Sequence, residues 1–208
     1  MKILVTAGPT REAIDPVRYL TNRSSGKMGY AIATAAAHAG HQVLLVSGPT
    51  SLDVPAHVDF LSVESAEEMY QAVARYLPKM DAAVFAAAVA DYTPAAPTTQ
   101  KLKKSSENFS LELVKTKDIL GAARGEFGFT GFLVGFAAET ENLEKNARLK
   151  LEQKGCDLIV ANDVSRSDIG FDSHDNEAIL VFPDYSEPFP KAPKHDLAMH
   201  LIGLLPTA

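Results

Sequence analysis

The sequence predicts an α/β fold: a three-layer sandwich around a mostly parallel sheet. Three observations carry that prediction. Short apolar runs, most of them rich in branched residues, recur at residues 2–7, 42–46, 82–88, 132–137 and 157–161. Segments with apolar residues spaced four apart separate most of them, as amphipathic helices require. No repeat, low-complexity tract or Pro/Gly/Ser linker interrupts the chain, so residues 1–208 read as one domain. Continuous apolar strands alternating with helices imply a parallel sheet buried on both faces.

The elements follow in order. Residues 2–7 (KILVTA) form a central strand that stops at Gly8-Pro9. Residues 8–24 read as loop, since Pro9 and Pro16 prevent a regular helix throughout. Ser24 or Ser25 is expected to cap a helix running to about Ala39, with Gly40 as its C′ residue. Residues 42–46 and 58–63 are the next strands. Ser65-Ala66-Glu67-Glu68 is a capping box opening a helix with Met69, Val73 and Leu77 on one face, stopped by Pro78. Residues 82–88 form a strand of very small residues, which lets a ligand or another backbone come close.

Residues 91–108 are polar and irregular, and a loop of that length serves function or motion. Residues 109–114 alternate as a strand, and Thr116 is expected to cap a short helix over 117–123. After strand 132–137, Thr140 is expected to cap a helix over 141–154 closed by Gly155. Strand 157–161 leads into Asn162-Asp163. The tail adds an irregular β extension at 177–182, a turn near Asp184 and a helix over 195–205.

Composition narrows the function. The longest apolar run, residues 82–90, has nine residues, whereas a membrane-spanning helix needs about twenty. No signal-peptide pattern follows Met1, which stands directly before the first strand, as suits a monofunctional protein and equally a domain of a longer chain. The single cysteine, Cys156, excludes an internal disulfide and a multi-cysteine metal site and fits a cytoplasmic protein. A net charge of −6 argues against general nucleic-acid binding. Yet Lys101, Lys103, Lys104, Lys115 and Lys117 fall within seventeen residues. That cluster suits a small polyanion, or else a solvated surface run.

Residues 18–29 (RYLTNRSSGKMG) stand out as a polar, glycine-bearing loop between a strand and a helix. Such loops hold phosphate on backbone N–H groups at the helix start. The fold is Rossmann-like, but the dinucleotide fingerprint fails: Gly8 is followed by Pro9, and the next glycine is Gly26. The second strand ends in Ser47-Gly48, with no carboxylate for a ribose diol. An NAD(P)-dependent oxidoreductase and a non-catalytic nucleotide-binding module remain the alternatives. The six histidines show no metal-ligand spacing, and Asp172, Asp175 and Glu177 read as a solvated acidic turn, so no metal ligands are assigned.

Seven motifs then converge: TAGPTRE (6–12), DPVRYLTNRSSGKMG (15–29), SGP (47–49), AAAVADY (86–92), KLKK (101–104), VGFAAET (134–140) and ANDV (161–164). In this order and spacing the whole chain resembles bacterial phosphopantothenate–cysteine ligase, also called phosphopantothenoylcysteine synthetase. In many bacteria that enzyme is the C-terminal half of a bifunctional coenzyme A protein. The resemblance implies a homodimer acting on 4′-phosphopantothenate, cysteine and CTP with Mg2+, through an acyl-cytidylate.

The resemblance also implies roles. Asn22 would stabilise the intermediate, and Lys101, on a mobile flap over about 91–108, would neutralise the α-phosphate. Arg18, Ala87 and Ala88 would meet the acyl substrate. Gly8, Ser24, Ser25, Gly26, Asp91, Lys101, Lys117, Asp118, Ile119, Leu120, Phe136, Lys150 and Lys154 would form the nucleotide site. In one departure, Lys117 stands where the family commonly has proline. The C-terminal strands are the expected dimer surface.

Overall fold

A computed structural model describes residues 1–103, 108–163 and 173–206. Strand β1 (Lys2–Ala7) lies inside an eight-stranded sheet. On one side follow β4 (Gln42–Ser47) and β5 (Asp59–Ser62), both parallel to it. On the other side follow β6 (Ala82–Phe85), β9 (Phe132–Glu139) and β10 (Leu158–Asp163), again parallel. An antiparallel pair, β11 (Asp175–Val181) and β12 (Ser186–Pro193), completes that edge.

Alternation along β1 builds two cores. Ile3, Val5 and Ala7 face α1 (Lys27–His38) and α5 (Lys194–Gly203). Leu4 faces the layer made by α2 (Ala66–Tyr76), α3 (Ile119–Gly125) and α4 (Leu143–Lys154). Both faces of the sheet are therefore covered, which is why its strands are apolar throughout rather than alternating. The alanines of α1 (Ala33, Ala35, Ala36, all fully buried) let that helix approach the sheet closely.

Several expectations need correction. Residues 8–24 are not all loop: β2 (Arg11–Asp15) and β3 (Arg18–Thr21) form a hairpin outside the main sheet. Asp15 Oδ1 closes its turn by accepting from the N–H groups of Val17 and Arg18 at 2.9 Å each, an Asx-type turn that sequence alternation does not reveal. The strand expected over 82–88 ends at Phe85, and Ala88 turns away to bridge Pro9. The strand expected over 109–114 is shorter: β8 (Leu113–Lys115) pairs with β7 (Tyr92–Pro94) in a separate two-stranded sheet.

Two caps also differ. Asp118, not Thr116, caps α3 by accepting from Gly121 N–H at 2.8 Å, while the Thr116 hydroxyl donates to Ala90 O. Asn142 at φ 50°, not Thr140, precedes α4. The C-terminal strands are a hairpin of the main sheet with one register shift between Asn176 and Ala178, and β12 was not foreseen. Lys104, Val164 and Asp172 lie outside the described residues.

Candidate functional site

Parallel α/β sheets offer their ligand sites beyond the carboxyl ends of the strands, and two cavities open there. One has a volume of about 610 Å3 and the other about 460 Å3. They adjoin, because Ala87, Val89, Asp91, Phe136 and Lys150 line both. Residues 87–91 after β6 supply most of the shared wall, with Phe136 and Lys150 completing it.

The larger cavity is the cationic one. Lys115, Lys117, Lys150 and Lys154 line it, with Asp118, Ile119 and Leu120 at the start of α3. Lys150 and Lys154 sit one turn apart on α4, as the sequence spacing requires. Lys150 Nζ donates to Phe136 O at 2.7 Å. Burial pulls the pKa of Lys150 below the ordinary lysine value, and the attraction of Glu139 offsets this only in part. Lys154 pairs with the Asp118 carboxylate. Burial raises the Asp118 carboxyl, but bonds from Lys154 and Gly121 N–H outweigh it and leave the net shift downward. Lys117 reaches Glu67 at 2.8 Å and lies 4.5 Å from the Tyr70 ring centre.

The smaller cavity holds the polar loop. Asn22 Nδ2 donates to Ala88 O and Val89 O, both at 3.1 Å, tying the loop to the small-residue segment. Ser24, Ser25 and Gly26 line this cavity. The expected serine cap is not made, however: the residue preceding α1 is Gly26 at φ 78°, and no side chain caps the helix. The reason is local geometry. Gly26 packs against Gly8 and Thr50, where an added Cβ would lie 3.3 Å from Gly8 Cα and 2.6 Å from Thr50 Cγ2. Gly8, itself at φ 71°, supports that packing and lines neither cavity.

Sequence reasoning did not assign Thr6, Tyr92 and Lys115 in the first cavity, or Met28, Asn176 and Lys194 in the second. Lys115 had a signal in the lysine cluster. Asn176 and Lys194 had none, because they arrive from strands and a helix far along the chain. Asn162 Nδ2 donates to Asn176 Oδ1 at 2.6 Å, and its own Oδ1 is buried with no hydrogen-bond partner among the described residues. Lys194 Nζ donates to Ser173 O.

Three residues named from the resemblance, Gly8, Arg18 and Lys101, lie outside both cavities. Arg18 pairs with Asp15, and Lys101 is exposed. Of the other lysines in the cluster, Lys103 is exposed as well, and Lys115 and Lys117 reach the cavity. No group of three or more metal-ligating side chains occurs among the described residues. No helix among them is long and apolar enough to cross a membrane.

A Rossmann-like sheet with an anion-suited loop and a lysine-lined cavity at its strand ends defines a nucleotide- or phosphate-handling α/β protein. The chain belongs to the family described as the DNA/pantothenate metabolism flavoprotein C-terminal domain, whose pattern matches residues 1–207. It is 49% identical over 207 residues to the coenzyme A biosynthesis bifunctional protein CoaBC of Vibrio vulnificus, covering 99% of this chain and 52% of that protein. The chain thus spans about half the length of the curated relatives it matches.

The crystal structure of the C-terminal domain of a CoaBC protein superposes with a TM-score of 0.82 at 42% identity, covering 97% of this chain and 92% of that one. The DNA/pantothenate metabolism flavoprotein from Streptococcus pneumoniae superposes with a TM-score of 0.84 at 27% identity, covering 98% and 97%. Family membership and the Rossmann-like fold stand as expected.

Proposed function

We propose that this chain is a phosphopantothenate–cysteine ligase of coenzyme A biosynthesis. It would join 4′-phosphopantothenate to L-cysteine at the expense of CTP. The observation that carries the reading is the pair of adjoining cavities, one lined by lysines and the other by the Asn22 loop, with Ala87 and Asp91 between them. Its similarity to coenzyme A biosynthesis bifunctional proteins supports it.

The chemistry follows from the need. A carboxylate is a poor acyl donor at neutral pH, so its oxygen attacks the α-phosphorus of CTP, pyrophosphate leaves and an acyl-cytidylate forms. The cysteine amine then attacks the acyl carbon and CMP leaves with the bonding electrons. Both steps gather anionic groups, and fixed positive charge and N–H donors favour them. Lys117, Lys150 and Lys154, with the α3 start, would hold the nucleotide in the larger cavity. Ser24 to Gly26 would meet phosphate at the α1 start, and the Asn22 amide would steady the intermediate. Lys101 would neutralise the α-phosphate.

A magnesium ion keeps several waters and takes few protein ligands beside substrate phosphates. Asp91, a single carboxylate on the shared wall, fits such an ion and would hold it; when bound, the ion would neutralise phosphate charge. A homodimer belongs to the same proposal, as does a cytoplasmic location. Exposed Val17, Tyr19, Leu113 and Val114 favour a subunit contact through the two small two-stranded sheets, in place of the C-terminal strands expected from the sequence.

Incubation with CTP, phosphopantothenate and cysteine tests the reading. CMP and pyrophosphate should appear in equal amounts with the amide product. Absence of both would overturn it.

A further inference from the structure

Asp15 ends β2, and its side chain is 0% exposed although most of the neighbouring β3 is exposed. Its two oxygens do different work. Oδ1 closes the hairpin turn through the N–H groups of Val17 and Arg18. Oδ2 accepts from Arg18 Nε at 3.0 Å, from a terminal nitrogen of Arg18, and from the backbone N–H of Leu102 at 3.0 Å. That same terminal nitrogen of Arg18 donates to Leu102 O at 3.0 Å. Both backbone groups of Leu102 are therefore held by one ion pair. A further tie runs from Thr98 N–H to Ile14 O at 3.1 Å, on the strand that carries Asp15.

A hairpin turn needs only the Oδ1 contacts. The Oδ2 and guanidinium contacts serve a segment more than eighty residues away, and the residue immediately before Leu102 on that segment is Lys101. A lysine on an exposed loop searches space through its backbone as well as its side chain. Fixing the adjacent peptide leaves only the side-chain rotors, so less entropy is lost when the ammonium meets a substrate. The Arg18 guanidinium keeps the Asp15 carboxyl far below the usual carboxylate range, so the ion pair persists throughout the neutral and mildly acid range.

We propose that Asp15 and Arg18 are positioning residues that clamp Leu102 and so place Lys101 for the first step of the ligation. This rests on the reading of Lys101 as the residue that neutralises the α-phosphate.

The test is a mutant cycle in the full chain, reading pyrophosphate release and the exchange of the Leu102 amide. Asp15→Asn keeps the shape and an oxygen for the turn but sets an amide donor against Leu102 N–H. It should lower kcat for pyrophosphate release about tenfold to a hundredfold while KM for CTP stays nearly constant. The Leu102 amide should exchange faster in Asp15→Asn and not in Lys101→Gln. Asp15→Asn combined with Lys101→Gln should be no slower than Lys101→Gln alone, because both act on one group. Arg18→Lys should restore part of the rate relative to Arg18→Gln.

Additive losses in the double variant, or unchanged Leu102 exchange in Asp15→Asn, would overturn the clamp. Full activity of Lys101→Gln would instead overturn the reading of Lys101, and Leu102 exchange would still report on the clamp. If Asp15→Asn does not fold, Arg18→Gln removes the bond to Leu102 O from a half-exposed side chain and runs the same cycle.

Discussion

Helices α2 and α1 begin in opposite ways. At α2 the protein supplies its own acceptors. Ser65 Oγ accepts from Glu68 N–H at 3.2 Å, the Glu68 carboxylate accepts back from Glu64 N–H, and Glu12 accepts from Ala66 N–H at 2.8 Å. At α1 no side chain caps the helix, its first turn has no acidic residue, and the entry is a left-handed glycine on a cavity wall. A helix start closed by the protein's own oxygens serves stability alone. One left uncapped beside a cavity keeps its partial positive charge for a ligand.

Replacing Gly26 should break the open start most severely. Gly26→Ala must hold φ 78° and push Thr50 and Gly8 apart. It should lose about 2–3 kcal/mol in denaturant unfolding and at least about a hundredfold in CTP turnover. Native-like stability would refute the packing argument.

Ser24→Asp places a carboxylate at the open start and sharpens the comparison by moving two quantities in opposite directions. Stability should rise by about 0.5 kcal/mol through the helix dipole. The KM for CTP should rise about tenfold through repulsion of phosphate. Thermal unfolding together with steady-state kinetics would show whether the signs diverge.

The matching change at the closed start, Ser65→Ala, should cost about 1 kcal/mol in unfolding experiments and leave kcat/KM within about twofold.

The smallest effect concerns pH. The folded-state pKa of Lys150 lies below its unfolded value of 10.5 because burial disfavours the ammonium. Below the folded pKa the native state bears that cost, and the cost disappears as pH rises past the unfolded value. Only the ammonium attracts phosphate, so CTP affinity should fall at a pH lower than for an ordinary lysine. Calorimetric titrations in buffers of different ionisation enthalpy should then show proton uptake on binding. Proton-neutral binding across that window would count against Lys150 as a nucleotide contact.

A further contrast lies in Cys156. Burial pushes its thiol up to about 12, so alkylation should be slow in the native protein and rapid once it unfolds, as mass spectrometry would show.

The parts of the site legible in the sequence were those encoded locally. The capping box at Ser65 was readable because its partners are three residues apart. The small residues 86–88 were readable because a strand end fixes their neighbours, whereas Lys150 and Lys154 came from the family resemblance, helix spacing accounting only for their shared face. The loop at Ser24 to Gly26 was recognised, but its cap was misassigned. A serine and a left-handed glycine can both start a helix, and the packing of Gly26 on Gly8 and Thr50 chose the glycine. The β2–β3 hairpin was missed because a buried carboxylate, rather than an Asn-Gly turn or strict alternation, holds it.

Apolar runs alternating with helices determined by themselves a parallel α/β sheet, since a strand apolar on both faces has to be covered twice. The motifs determined the family. Tertiary structure decided which charges meet. It set Lys115 and Lys117 on the cavity, left Lys101 exposed beside a peptide bonded to Asp15, and brought Asn176 and Lys194 to the cavity of the Asn22 loop. Those choices depend on contacts between residues tens to more than a hundred positions apart, and local periodicity carries no record of such contacts.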